Sequence, residues 1–158
     1  MGLETRVAEA LTQRGLTLST AESCTGGGLS HALTDVPGAS AFFIGGVIAY
    51  QNHVKTTWLD VPESTLSARG AVSTESAEAM ARGCRARFGT DLAVAITGIA
   101  GPTGGTAAKP VGLVYLAVAS EEGVRVLECH FVGSRRDVRS QSIATALGLI
   151  LETLGEPT

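Results

Sequence analysis

The chain has 158 residues and a mass of 16.1 kDa, and it is built largely from small side chains, with 20 Gly and 22 Ala. At 44% hydrophobic and 17% charged it is too apolar to be disordered, and residues 1–158 have the length of one domain with a real core. A net charge of -3 and a pI near 5.6 exclude a bulk basic field for nucleic acid or an anionic membrane.

Leu3, Val7 and Leu11 recur at helical spacing and Gly15 follows as a C-terminal cap, so the chain opens with an amphipathic helix. Glu4 and Glu9 interrupt it, so no targeting segment is expected, and three scattered cysteines fit a reducing cytoplasm. A short strand over Leu16–Thr20 then hands over to a helix beginning near Thr25, with Leu29, Ala32, Leu33 and Val36 on its apolar face. Phe42–Tyr50 is an apolar, partly β-branched run, too short to span a bilayer, and reads as a central strand buried on both faces. Asn52 is placed to cap a short helix through Trp58, and Pro62 suits the first turn of another. Ser73 precedes a long Ala-rich helix that Gly89 can end. Asp91–Thr97 and Val111–Ala119 are buried-strand candidates. Val124–Val132 follows a tight turn and is expected antiparallel to its predecessor, and a last helix runs from about Arg135 to Leu154.

Helices interleaved with strands, plus one late hairpin, predict a single three-layer α/β/α domain whose mixed sheet is mostly parallel with one antiparallel strand. Ligands of such sheets bind outside the carboxyl ends of the strands. Three segments reach that end: Thr20–Gly28, Tyr50–Lys55 and Thr97–Gly105.

Each segment carries polar groups with two readings. Ser23, at a strand-to-helix turn, is either a helix cap or a nucleophile whose oxyanion the helix start would hold. Cys24 is the rival nucleophile. His31 lies too far along its helix to serve Ser23 as a base, and His53 reads as a surface imidazole. Lys55 is one of only two lysines beside ten arginines, a bias that codon usage explains. It lies five residues after Tyr50 at the exit of a strand, and serine with lysine is a known nucleophile–base pair. Such a base must lose a proton near neutral pH, which burial promotes. The loop from Thr97 through Gly98, Gly101, Gly104 and Gly105 to Lys109 either cradles an anion or is structural, and it lacks the P-loop pattern. Arg135 and Arg139, four apart, either face one anion or lie on an exposed helix start. Cys24, Cys84 and Cys129 show no metal-ligand or disulfide spacing.

Six ordered segments together resemble one family. They are Ala21–Gly27 (AESCTGG), Tyr50–Lys55 (Y-x-N-x-x-K), Gly70–Ser73 (GAVS), Thr97–Gly105 (TGIAGPTGG), Lys109–Gly112 (KPVG) and Gly133–Gln141 (G-x-R-x-x-x-R-x-Q). This is the pattern of the CinA C-terminal domain, whose free-standing members are nicotinamide-nucleotide amidohydrolases. The resemblance implies an anticodon-binding-domain-like three-layer fold, a homo-oligomer, and hydrolysis of the carboxamide of nicotinamide mononucleotide to nicotinate mononucleotide and ammonia without metal or cofactor. It implies Ser23 as nucleophile, Lys55 as base and Tyr50 as its helper. Thr25, Gly26, Thr97, Gly98, Gly101, Arg135 and Arg139 are then expected around the substrate, with Thr97 and the arginines gripping the ribose phosphate. The chain leaves no room for the larger N-terminal CinA domain, so the pyrophosphatase activity of that domain is not expected of it. Related sequences often carry acidic residues where this chain has Thr103 and Ser134. The alternative is a nucleotide-binding regulatory module, linked to competence or DNA damage, that does not turn its ligand over.

Overall fold

The computed structural model describes residues 1–158 as five strands and six α-helices. In chain order they are α1 (Leu3–Arg14), β1 (Leu18–Glu22), α2 (Gly28–Thr34), β2 (Phe43–Ile48), α3 (Asn52–Leu59), α4 (Glu63–Arg69), α5 (Thr74–Phe88), β3 (Leu92–Gly98), β4 (Leu113–Ser120), β5 (Gly123–His130) and α6 (Arg135–Thr153). Gly15 and Gly89 close α1 and α5 in the left-handed conformation, and Ser73 caps α5 by accepting the Ser76 N–H, as their spacing predicts.

The sheet order is β2-β1-β3-β4-β5. β1 pairs in parallel with β2 and β3, and β4 pairs antiparallel with both β3 and β5, so β4 is the one strand that runs against the others. Both faces are covered, which gives the three layers expected. On one face Leu18, Val94, Ile96, Leu116 and Val118 pack against α1, α2 and α6. On the other, Ala21, Ala93, Ala95, Ala117 and Ala119 lie under Leu59 at the end of α3 and under Ala77, Met80 and Cys84 of α5.

The second face accounts for much of the light composition. A row of alanines lets α5 settle close to the sheet, and α3 crosses α5 so tightly that a Cβ on Gly83 would lie 1.7 Å from the Leu59 carbonyl oxygen. Close approach of these layers brings the start of α3 over the ends of β1 and β3.

Four expectations are corrected. β2 is an edge strand, not a central one: its Ile44 and Ile48 are 52% and 57% exposed. An apolar run reports hydrophobicity but not neighbours, and seven-residue α2 is too short to cover this edge. The strand that is buried along its whole length is β1, whose sequence LSTAE is polar. Its hydroxyls are paired, Ser19 with Thr90 at 2.8 Å and Thr20 with Ser30 at 2.8 Å, which makes the burial tolerable. Helix α2 begins at Gly28, three residues later than expected, because Gly26 and Gly27 adopt left-handed backbone angles in an intervening turn. Gln51 rather than Asn52 occupies the cap position of α3, and Pro62 that of α4.

Gly83→Ala is expected to destabilise the protein by about 1–3 kcal/mol through overpacking against backbone, seen as a fall of several degrees in Tm. An unchanged thermal transition would mean that α3 and α5 are not held this close.

Candidate active site

Period-two alternation at the end of β1 separates two functions. Glu22 points to the α2 side of the sheet, and the next residue, Ser23, opens onto the α3/α5 side. The Ser23 backbone is clamped between neighbours, since its N–H donates to the Ile96 carbonyl at 2.9 Å and the Glu22 carbonyl accepts the Ala49 N–H at 2.7 Å.

Lys55, one turn into α3, comes down onto this point and is 1% exposed. Its Nζ donates to the Ala49 carbonyl at 2.7 Å, the Tyr50 carbonyl at 3.2 Å and Ser23 Oγ at 3.2 Å. Three donors thus meet three oxygens, none of them a carboxylate. Burial therefore holds the amine below the usual lysine value, with an opposing effect from Cys24. A neutral amine in the same place keeps two N–H bonds on the two carbonyls and turns its lone pair to Ser23 Oγ.

These groups line a cavity of about 210 Å³ together with Cys24, Tyr50, Asn52, Ala71, Val72, Thr97, Gly98, Ala100 and Arg135. Ligand clefts of ~300–1,000 Å³ are usual, so this one admits a ring-sized fragment while the rest of a ligand lies outside. Of three larger hollows, those of about 480 and 320 Å³ sit at the opposite end of the sheet around Arg85, Asp91 and Ser120, and one of about 440 Å³ lies between α3 and α4 at Asn52, Thr56, Glu63 and Leu66.

Cys24 lines the cavity, but burial pushes its thiol up to about 11, so it is protonated at neutral pH and is the weaker nucleophile. The Tyr50 hydroxyl accepts from Arg135 at 3.1 Å, and it is the Tyr50 backbone carbonyl that holds Lys55. Arg135 also donates to the Gly101 carbonyl at 2.9 Å. Thr97 donates its hydroxyl to the Ala71 carbonyl at 2.8 Å, which leaves lone pairs toward the cavity.

Of the residues expected around a substrate, Thr97, Gly98 and Arg135 line the cavity, and Thr25, Gly26, Gly101 and Arg139 do not. Thr25 spends its hydroxyl on Glu22, and Arg139 donates to the Thr25 carbonyl at 3.0 Å. The glycine-rich loop folds on itself, with Thr106 N–H to the Lys109 carbonyl and Gly112 N–H to the Ile99 carbonyl, both at 2.8 Å. Lys109 reaches the Arg69 carbonyl instead of the cavity. Ser134 caps α6 in a reciprocal capping box with Asp137. His31 lies beside Asp35 at 3.6 Å on the surface, and His53 is exposed.

The helix start does not offer an oxyanion site either, because Glu22 already accepts the N–H groups of Gly27, Leu29 and Ser30. The N–H groups of Cys24 and Thr25, in the turn before it, donate to no backbone carbonyl, and of the two residues only Cys24 lines the cavity. Sequence reasoning missed Glu22, Asn52 and the Ala71–Val72 wall. The AESCTGG and GAVS segments held three of them in plain view, but nothing local shows which way those side chains face.

Fold and site together define an α/β domain whose strand-end cleft is built around a buried serine–lysine contact. The chain matches the CinA C-terminal domain over residues 1–154, and it belongs to that family. It is 59% identical over 131 residues to a CinA-like protein of Parasynechococcus marenigrum, a match covering 82% of this chain and 31% of that one. It is 51% identical over 149 residues to a CinA-like protein of Syntrophotalea carbinolica, covering 94% and 36%. The chain thus spans about a third of the length of these curated relatives. Among solved structures, the competence/damage inducible protein CihA from Agrobacterium tumefaciens superposes with a TM-score of 0.94 at 43% identity, covering 98% of this chain and 94% of that one. A CinA superfamily protein from Escherichia coli gives 0.92 at 32% identity, covering 96% and 88%. No helix is long and apolar enough to cross a membrane.

A charged lysine in this setting opposes folding. In the unfolded chain it protonates below its ordinary value, whereas in the folded protein it does so only at lower pH, so the penalty is present at neutral pH. Lys55→Met is expected to raise stability by about 0.5–2 kcal/mol, read as a higher Tm at pH 7, with the gain shrinking as pH approaches 10.5. A lower Tm would mean that the three hydrogen bonds outweigh burial.

Proposed function

We propose that this domain hydrolyses the carboxamide of nicotinamide mononucleotide, releasing ammonia and nicotinate mononucleotide. The observation that carries the reading is the 3.2 Å contact between Lys55 Nζ and Ser23 Oγ, with the amine otherwise held by two backbone carbonyls in a buried site. Family membership supports it, as do a cavity of ring size and the exposed guanidinium of Arg135 at its rim.

Neutral Lys55 takes the Ser23 proton as Oγ attacks the carboxamide carbon, and the oxyanion is received by the N–H group of Cys24, the turn residue that lines the cavity. Lys55, now an ammonium, returns that proton to the leaving nitrogen, and the C–N bond breaks to release ammonia. A water then gives a proton to Lys55 and attacks the acyl carbon, and Ser23 leaves with the proton that Lys55 carries. Tyr50 presents its ring at the cavity mouth and its carbonyl to Lys55. Thr97, whose lone pairs face the cavity, suits the amide N–H₂ better than a phosphate, which moves phosphate binding to Arg135. The homo-oligomer expected of the family belongs to the same reading and is measured by the sedimentation mass of the purified protein.

Ammonia release from nicotinamide mononucleotide, without added metal, tests the reaction. Ser23→Ala is expected to lower kcat by roughly 10³-fold or more while ligand binding persists. Undiminished turnover in that variant would eliminate the serine nucleophile, and binding without turnover in the unaltered protein would favour a regulatory module. Because only the neutral amine is a base, kcat/KM should rise with pH along a limb centred below 10.5. Lys55→Arg should abolish both turnover and limb, since guanidinium does not deprotonate. Retained activity would reduce Lys55 to a positioning charge.

A further inference from the structure

Glu22 is 1% exposed, carries no lysine or arginine partner, and takes no part in the proton transfers above. All the hydrogen bonds of its carboxylate go to the turn and helix that follow the nucleophile. Oε2 accepts the Thr25 hydroxyl at 2.7 Å, Gly27 N–H at 3.2 Å and Leu29 N–H at 3.0 Å. Oε1 accepts Ser30 N–H at 2.8 Å and the Ser30 hydroxyl at 2.7 Å. A buried carboxylate is tolerated only when its lone pairs are filled, and here five donors fill them.

We propose that Glu22 is a positioning residue that sets the geometry of the turn bearing the nucleophile; the proposal rests on the serine–lysine reading above. Its backbone carbonyl is tied to Ala49, whose own carbonyl holds Lys55, and its carboxylate ties down the far side of the Ser23–Gly27 turn. One residue therefore registers Ser23 against Lys55 and keeps the turn in the form that leaves the Cys24 N–H, at the cavity wall, without a backbone carbonyl partner. By filling the start of α2 with an internal carboxylate, it also prevents the substrate's phosphate from binding there, so that the phosphate is left to Arg135.

Glutamine has the same shape, but its nitrogen donates, so Glu22→Gln leaves either the Ser30 pair or the Thr25, Gly27 and Leu29 set facing a donor. The test follows covalent capture of Ser23 by an aryl fluorophosphonate, in which Oγ bonds to phosphorus, fluoride leaves and Lys55 takes the proton, alongside ammonia release. In folded Glu22→Gln, judged by circular dichroism, the maximal labelling rate and kcat are expected to fall about 100-fold, the loss that a misplacement near 1 Å produces. The reagent's half-saturation, KM and the midpoint of the Lys55 limb stay in place, whereas mere loss of folded protein would leave the rate per folded site unchanged. Wild-type labelling and turnover in that variant would overturn the proposal.

If Glu22→Gln does not fold, Ser30→Ala, which removes one donor to Oε1 together with the partner of the Thr20 hydroxyl, carries the test beside Thr20→Val, which breaks that pair alone: slower labelling in Ser30→Ala but not in Thr20→Val supports the proposal, and an unaltered rate in Ser30→Ala, or an equal loss in Thr20→Val, overturns it. Native protein that is labelled at Ser23 yet releases no ammonia would fail the substrate reading alone, because the labelling ratio still tests Glu22. Native protein that is not labelled at Ser23 would overturn the nucleophile assignment and this inference with it.

Discussion

Everything at the strand ends depends on one buried amine. Lys55 has no carboxylate partner, so its position is held by two carbonyls and one hydroxyl, and these come from the end of β1 and the exit of β2. An amine held this way is cheap to deprotonate, because the neutral form keeps both carbonyl bonds and loses an unfavourable burial of charge. It is also costly to fold around, which is the usual relation between an active site and stability. A carboxylate in place of either carbonyl would stabilise the ammonium and deprive the proposed reaction of its base.

The small-residue face of the sheet supplies the depth this arrangement needs. Alanines on β1, β3 and β4, together with Gly83 on α5, let the second helical layer sit close, so that α3 delivers Lys55 to the sheet surface. Larger side chains would lift α3 away from β1, and a lysine reaching from further out would admit water and recover its ordinary basicity. Composition and chemistry are linked here by packing distance.

Ser23 and Glu22, adjacent in sequence, serve opposite sides of the same strand end. Ser23 opens to the cavity, while Glu22 satisfies the N–H groups of the helix that a nucleophile in this position would otherwise use for its oxyanion. In the proposed reaction oxyanion binding therefore falls to the turn, while the glycine-rich loop closes on itself. Cys24 shares the cavity but not the hydrogen bond to Lys55, and burial keeps its proton on.

The sequence by itself determined the element order, the helix caps at Gly15, Ser73 and Gly89, the three-layer class and the strand-end location of Ser23 and Lys55, because these depend on local periodicity, turn chemistry and strand polarity. It also carried the family motifs. Only the tertiary structure decided that polar β1 is central and apolar β2 is an edge, since strand order depends on which neighbours each strand finds and not on its own hydrophobicity. It likewise decided that α2 starts late, that Arg139 and Lys109 turn to backbone carbonyls, and that Glu22 occupies the helix start. Those outcomes are set by hydrogen-bond satisfaction across the chain, between groups whose separation in space no local pattern encodes. Lys55 stands between the two: its residue type was visible, but its burial, which gives the amine its chemistry, exists only once α3 is packed on the alanine face.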